Sequence, residues 1–251
     1  MKLINPSLSL TAIALFLLSS LTVSAQWNKK PYTEWSEKEA MKLLLDSPWA
    51  QTQVFTDNAE AQEGVSRDSR GRVTDTSRSD DLGSSRSMSD VPVVNFHIRF
   101  LSARPVRQAI SRLMSLRQQG ALSEQAAARL KTFATSEPTD TIIVTVLVDA
   151  PKTTNKFQEA RALLNRQTTS ELKNTTYLLV KGGERVSLDE YQRPGSDGLG
   201  ARFIFPRALN GKPVITSTNE SVRFYSELSS TYTLNRSYKI KDMMFDGKLE
   251  F

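Results

Sequence analysis

VPVVNFHIRFL, residues 91–101, alternates between apolar and polar side chains along most of its length. In a strand, the apolar residues of such a pattern point to one side and the polar residues to the other. The apolar set is Val94, Phe96, Ile98 and Phe100, and the polar set is Asn95, His97 and Arg99. The pattern predicts a half-buried strand with a solvated polar side, which is the ordinary state of an antiparallel sheet.

Three helices are predicted downstream of this strand. Over residues 104–119 the apolar side chains fall within one arc of a helical wheel, and Gly120 suits the end of that helix. The arc consists of Val106, Ala109, Ile110, Leu113 and Leu116. Ser123 can cap a second helix over residues 124–134, and residues 155–166 form the third.

A helix and an extended segment are predicted upstream of the strand. Ser36 and Glu39 have the spacing of a capping box in front of an apolar run, and Pro48 ends or redirects that helix. Residues 49–55 favour an extended conformation. We expect this segment, residues 26–56, to pack back on the main domain.

Further strands and turns follow from local composition. TIIVTVLV, residues 141–148, is typical of a strand buried on both faces. Gly182-Gly183 indicates a hairpin that pairs Leu179 with Val186 and Lys181 with Glu184. Asn-Gly at 210–211 and Asp-Gly at 246–247 mark two more turns. Residues 222–228 and 238–245 are predicted strands.

These elements predict an α+β domain over residues 91–251. Its sheet should be mixed but mostly antiparallel, with helices packed on one face.

The N-terminus has the three parts of a secretory signal peptide. Lys2 supplies the positive region, residues 8–23 are apolar and uncharged, and Ala25 ends a stretch that signal peptidase reads. We expect cleavage after Ala25, a secreted or periplasmic protein, and no transmembrane span in the mature chain.

Residues 57–90 have the composition of a disordered linker. They contain eight Ser, five Arg and eight acidic residues, no aromatic residue, and few apolar ones. Such a segment buries too little apolar surface to offset the entropy lost on ordering.

The amino-acid composition excludes several classes of catalytic and metal site. The chain has 251 residues, a net charge of +6, one His and no Cys. Cys-ligated zinc, iron–sulfur clusters, thiol nucleophiles and zinc sites with several His ligands are therefore excluded. No sequence motif indicates a cofactor or a metal, and we expect neither.

The candidate binding residues are basic. Residues 91–123 contain five Arg and no acidic residue, and Arg104, Arg107 and Arg112 fall on the polar side of the first long helix. The same region includes His97 and Arg99. A solvated surface is the simpler interpretation of these side chains, and as a binding surface they would attract an anionic envelope polymer or an acidic protein. Nucleic acid is not an expected partner of an exported chain.

Evidence for catalysis in the sequence is weak. Ser170 and Lys173 match the S-x-x-K pattern of penicillin-recognising enzymes, but chance produces about 1.6 such matches in a chain of this composition. Asp189 and Glu190 would point to opposite faces of a strand. A non-enzymatic binding or scaffolding module is the first interpretation, and a secreted hydrolase using Ser or carboxylate chemistry is the alternative.

Four stretches, at residues 35–50, 94–109, 203–207 and 241–250, resemble an uncharacterised group of secreted bacterial proteins. The first of them, W-S-E-K-E-A-M-K-L-L-L-D-S-P-W-A, carries most of the resemblance. Part of that group is labelled GWxTD-domain-containing, although the motif Gly-Trp-x-Thr-Asp does not occur in this sequence. The resemblance implies a bacterial exported protein, and it implies no activity and no residue roles.

Overall fold

The computed structural model describes Trp27 and residues 30–56, 93–118, 120–137 and 139–251. The predicted signal peptide at residues 1–25 and the predicted linker at residues 57–90 lie outside the described residues. Within the described part the chain is an α+β fold built from helices and antiparallel sheets, as the sequence predicts.

Four of the five helices follow the predicted positions closely, and the short α5 was not predicted. They are α1 (Glu37–Leu45), α2 (Arg104–Arg117), α3 (Glu124–Thr135), α4 (Asn155–Arg166) and the short α5 (Thr169–Leu172). Ser36 and Glu39 form the predicted capping box at the start of α1. Ser123 caps α3 by accepting a hydrogen bond from the Ala126 amide.

The strands range from two to nine residues in length. They are β1 (Ala50–Thr56), β2 (Val93–Phe100), β3 (Thr141–Asp149), β4 (Thr176–Val180), β5 (Arg185–Ser187), β6 (Glu190–Gln192), β7 (Ala201–Pro206), β8 (Ala208–Leu209), β9 (Lys212–Pro213), β10 (Ser221–Glu227), β11 (Thr233–Lys239), β12 (Met244–Phe245) and β13 (Lys248–Leu249).

The strands form two main sheets, where one was predicted. The first has the order β1-β2-β3-β7-β6, the second has the order β11-β10-β4-β5, and all neighbouring pairs in both are antiparallel. The remaining strands form the two-stranded pairs β8-β9 and β12-β13.

The two sheets pack face to face through aromatic side chains. The Phe100 ring of β2 lies 4.9 Å from the Tyr238 ring of β11, and the Phe203 ring of β7 lies 5.3 Å from the Phe224 ring of β10, measured between centroids. The apolar side of β2 therefore faces the second sheet. Its polar side faces the other way, toward α1 and α2.

The N-terminal segment belongs to the same fold as the rest of the chain. β1 pairs with β2 along its whole length, from Ala50 opposite Arg99 to Thr56 opposite Val93. The Gln51 side-chain amide donates to the Ser237 carbonyl oxygen at 2.9 Å, and this bond ties β1 to an edge strand of the second sheet. The expectation that residues 26–56 pack back on the domain is confirmed for its described part.

The predicted hairpin exists, but its predicted register is wrong by one residue. Leu178 pairs with Val186, and Leu179 pairs with Arg185. Because successive side chains alternate between faces, this shift buries Leu178 and leaves Leu179 39% exposed. Lys181 consequently forms its ion pair with Glu220, at 2.7 Å, and not with Glu184.

The last predicted strand is also displaced. The chain forms β11 at Thr233–Lys239, a 3₁₀ turn at Ile240–Asp242, and the two-residue strand β12. Along β11 only Leu234 and Tyr238 are buried. Its apolar alternation is therefore weak, and the more apolar stretch at residues 238–245 was predicted as the strand instead.

Candidate functional site

The polar side of β2 is buried, which corrects the expectation of a solvated face. His97 is 5% exposed and Arg99 is 6% exposed. The reason is that α1 and α2 pack over this side of the first sheet; the Arg99 Nε atom, for example, donates to the Leu44 carbonyl oxygen of α1 at 2.8 Å. Burial of an imidazole and a guanidinium is costly unless their polar atoms have partners.

His97 lies between a hydroxyl and a carboxylate. Its Nε2 atom is 2.7 Å from Asp149 Oδ2, and its Nδ1 atom is 2.9 Å from Thr52 Oγ1. Asn95 donates to the other carboxylate oxygen of Asp149 at 2.8 Å. The strand pairing explains this cluster, because His97 stands opposite Thr52 on one side and Asn95 stands opposite Asp149 on the other.

The hydroxyl of Thr52 has two possible acceptors and one hydrogen. Its Oγ1 atom lies 3.1 Å from the Leu45 carbonyl oxygen as well as 2.9 Å from His97 Nδ1. With a neutral imidazole, Nε2 donates to Asp149 and the Thr52 hydroxyl donates to Nδ1. With a protonated imidazole, both ring nitrogens donate and the hydroxyl turns to the Leu45 carbonyl.

The surroundings of His97 favour the neutral imidazole. Burial lowers the pKa of His97 below its ordinary value of 6.5, and the hydrogen bond and the charge of Asp149 offset this only in part. Burial raises the pKa of Asp149, but hydrogen bonds from Asn95 and His97 outweigh it, so the net change in that pKa is downward. The pair is therefore a neutral imidazole donating to a carboxylate at neutral pH.

Arg99 has donors without acceptors. Its Nε atom is bonded to the Leu44 carbonyl, but among the described residues neither Nη atom has a hydrogen-bond or ion-pair partner. Burial lowers the pKa of Arg99 to about 10, while the charge of Asp149 acts in the opposite direction. The guanidinium remains protonated at neutral pH, so a positive charge lies inside the fold with half of its fork unused.

His97 and Arg99 line a cavity of about 400 Å³ between the first sheet, α1 and α2. The helices contribute an apolar wall made of Met41, Leu44, Leu45, Ile110, Leu113 and Met114. A volume of this size is within the range of small-molecule sites, as is the combination of a mostly apolar lining with a few polar groups.

A glycine-rich loop lines the cavity opposite the helices. Gly198 and Leu199 contribute to the lining, together with Asp197, whose carboxylate binds Arg202 of β7. Gly200 fixes this loop against β3, since its φ is +88° and an added Cβ would lie 2.3 Å from the Val146 carbonyl oxygen. Only glycine therefore fits at position 200.

A smaller groove of about 260 Å³ adjoins the cavity and shares Leu147 and Gly198 with it. Arg161 and Asn165 of α4 line this groove. Neither of these residues is buried. The groove therefore lacks the buried polar groups that distinguish the cavity.

Arg107 of α2 is not part of a solvated basic face, contrary to the expectation. It is 6% exposed and donates to backbone carbonyl oxygens that flank α2 and α3. These acceptors belong to Leu101, Ser102, Phe133 and Ser136. Its guanidinium thus holds α3 and the β2–α2 connection together.

Arg104 and Arg112 also have partners within the fold. Arg104 forms ion pairs with Asp246 at 3.2 Å and with Glu250 at 3.3 Å, and these acids come from the C-terminal end of the chain. Arg112 Nε donates to the Trp35 carbonyl oxygen at 2.6 Å. The sequence shows no acid near these arginines, and the fold supplies their partners from distant positions.

Of the predicted binding residues, the structure therefore brings His97 and Arg99 together in one cavity and places the helix arginines outside it. No sequence pattern singles out Asp149 or Thr52. The available signal is the position of Asp149 at the end of an apolar run, but its significance depends on the strand register, which local sequence does not contain.

Comparison of the chain with protein-family models, with curated proteins and with solved structures gives no match. In the described part of the chain, no helix is long and apolar enough to cross a membrane. The described residues also contain no group of three or more His, Asp or Glu side chains placed to hold a metal ion.

Proposed function

We propose that this chain is an exported, non-enzymatic binding module that holds a small amphiphilic molecule in the cavity between the first sheet and helices α1 and α2. The observation that carries the proposal is a single cavity with an apolar helical wall on one side and the buried polar pair His97 and Arg99 on the other. A ligand with one apolar part and one polar end matches these two surfaces.

The predicted binding arginines of α2 support this choice of site because each is engaged by partners within the chain. An anionic polymer bound along that helix would need accessible charges, but Arg104, Arg107 and Arg112 are engaged by acids and carbonyl groups of the chain itself. The cavity is an open recess of about 400 Å³ bounded by the first sheet, two helices and a loop, and a recess of this volume suits a small molecule better than a length of polymer.

Export is supported by the sequence of residues 1–25, with its positive start, uncharged apolar stretch and small residues before position 26. We place the protein in the bacterial envelope or outside the cell. Amphiphilic molecules are abundant there, because membrane lipids and their breakdown products are amphiphiles.

Titration calorimetry with octan-1-ol, octanoate and octylamine tests the proposal. At least one of these eight-carbon probes should bind the full chain with a stoichiometry of one. Met114→Trp should abolish binding, because Met114 lines the cavity and an indole would fill part of it. If no probe binds, or if Met114→Trp binds as tightly as the wild type, the cavity is not the site.

Leu116→Trp is the matched control for this experiment. Leu116 and Met114 are on the same helix and are each 40% exposed, but Leu116 does not line the cavity. The two substitutions add the same side chain to the same helix, so a difference in probe binding between them is due to the filling of the cavity.

One observation favours the alternative, a hydrolase. Thr52, His97 and Asp149 form a hydroxyl–imidazole–carboxylate chain with the composition used by serine hydrolases. However, Thr52 is not among the residues that line the cavity, so its hydroxyl does not face a ligand there. Turnover of p-nitrophenyl octanoate that disappears in Thr52→Val would establish the hydrolase in place of the binding module.

A further inference from the structure

We infer that Arg99 is the recognition group of the cavity and that the natural ligand is a monocarboxylate with an aliphatic body. This inference rests on the proposed function, because it names the chemical class of the molecule that the cavity holds. It begins from the unusual state of the guanidinium.

Arg99 is buried, charged and incompletely bonded. The residue is 6% exposed, and only its Nε atom has an acceptor within the described part of the chain. Taking a charged group largely out of water is costly, and the two Nη atoms are not among the fully buried unpaired atoms of the described residues, so they remain accessible to a ligand. The guanidinium lines the cavity, which is where an acceptor for its Nη atoms can enter.

The fixed Nε bond also determines how an acceptor can approach. Because the Leu44 carbonyl accepts from Nε at 2.8 Å, a ligand has access to the two Nη atoms and not to Nε. The two Nη groups present parallel N–H donors, and a carboxylate matches them with its two oxygens. A hydroxyl offers a single oxygen and a protonated amine offers no acceptor, so neither places one oxygen opposite each donor.

The other charged side chains of the cavity already have partners. Asp197 binds Arg202, Arg117 pairs with Glu37 at 2.8 Å, and Asp149 accepts hydrogen bonds from Asn95 and His97. Each of these partners comes from the described residues. Arg99 is thus the cavity's charged group that retains free hydrogen-bonding capacity.

The negative charge of Asp149 limits the charge of the ligand. Asp149 lines the same cavity and acts electrostatically on Arg99. A second negative charge on the ligand would be repelled by this carboxylate, and the other arginine of the lining, Arg117, is already paired with Glu37. A monocarboxylate is therefore favoured over a phosphate monoester, which carries more than one negative charge at neutral pH.

The apolar wall defines the remainder of the ligand. Leu44 and Leu45 of α1 and Ile110, Leu113 and Met114 of α2 offer aliphatic surface and no aromatic ring. An aliphatic chain attached to the carboxylate would bury its methylene groups there, each contributing favourably by the hydrophobic effect.

Calorimetry on the full chain tests the inference by comparing head groups on the same eight-carbon body. Wild-type protein should bind octanoate about tenfold or more tightly than octan-1-ol, because a charge-assisted pair of hydrogen bonds is stronger than a neutral one. Octyl phosphate should bind more weakly than octanoate. Arg99→Met should reduce octanoate binding to about the level at which the variant binds octan-1-ol.

The outcomes separate this inference from the proposed function. If octanoate and octan-1-ol bind equally well in the wild type, the cavity binds amphiphiles but Arg99 does not distinguish a carboxylate from a hydroxyl. If none of the probes binds, the proposed function fails as well. Should Arg99→Met not fold, the wild-type protein decides: octanoate, and not octan-1-ol, should shift the ¹⁵N resonances of the Arg99 Nη groups, and unchanged resonances would overturn the inference.

Discussion

Strands β2 and β10 have the same alternation in sequence but different surroundings in the fold. In β2, Phe96 and Ile98 face the second sheet, and His97 and Arg99 face away from it. In β10, Phe224 faces the first sheet and Arg223 faces away from it. His97 and Arg99 are buried, whereas Arg223 is exposed.

The difference arises because, among the described residues, helices cover the outer side of the first sheet and not that of the second. α1 and α2 pack over β2, while the outward side chains of the second sheet remain at the surface. Alternation thus identifies which residues share a face of a strand. Whether the polar face is solvated depends on which element packs against it, and a polar face that is covered becomes a candidate site.

The largest predicted effect concerns the glycine-rich loop that lines the cavity opposite α1 and α2. Gly200→Ala should lower the free energy of unfolding by about 3 kcal/mol, because the substitution combines an unfavourable positive φ with a steric clash against the Val146 carbonyl. Urea unfolding monitored by Trp fluorescence measures this loss.

The control for that substitution lies in the open sheet. Gly182, in the turn between β4 and β5, has a φ of +77° but nothing within 4 Å of an added Cβ. Gly182→Ala should therefore cost only about 1 kcal/mol, the conformational part of the penalty. Equal losses in the two variants would mean that the loop does not press against β3 as the structure shows.

The next effect compares one residue from each polar face. His97→Ala should reduce stability by about 2 kcal/mol, since it removes two hydrogen bonds and buried packing. Arg223→Ala, on the exposed face of β10, should change stability by about 0.5 kcal/mol or less. Similar values at the two positions in urea unfolding would contradict the burial of the β2 face.

The pH dependence of stability tests the burial of His97 on the polar side of β2. The folded-state pKa of His97 is below 6.5, so the unfolded chain binds more protons than the folded chain as pH falls through about 6.5, and stability should decrease. His97 is the single histidine of the chain, so His97→Gln should flatten the dependence of the urea midpoint between pH 7.5 and pH 5.5. Asp149 should add a further loss below about pH 3.8, because its folded-state pKa is also lowered.

A rise in stability on acidification would contradict this assignment. It would mean that the folded state binds the proton more tightly, through an ion pair between protonated His97 and Asp149. Carboxyl groups with ordinary pKa values titrate below this pH range, so they do not obscure the result.

The helices and most strands could be predicted because their signals are local. The Ser36–Glu39 capping box and the α4 boundaries depend on residues within a few positions of each other, and both are confirmed. The division into two sheets could not be predicted, because it depends on contacts such as Phe203 with Phe224 across the core.

The site was predicted only in part for the same reason. His97 and Arg99 share a strand face by local alternation, but Asp149 joins them through the β2–β3 register, and the cavity requires α1 to lie over that face. The helix arginines illustrate the opposite error. A local excess of positive charge suggests a free basic surface, yet Glu250 and Asp246 reach Arg104 from the far end of the chain.

The smallest predicted effect tests the register of the exposed hairpin. Lys181 and Glu220 form an ion pair at 2.7 Å in which both side chains are mostly exposed, so a double-mutant cycle should give a coupling of only about 0.3 kcal/mol. The same cycle for Lys181 and Glu184 should give a coupling near zero, because the observed pairing of Leu179 with Arg185 does not place them as the predicted hairpin did. Added salt should remove the first coupling, since exposed charges are screened over about 10 Å at 0.1 M. A larger coupling with Glu184 than with Glu220 would support the register that the sequence predicts and contradict the observed one. In that register Leu179 would be buried and Leu178 would be exposed to solvent.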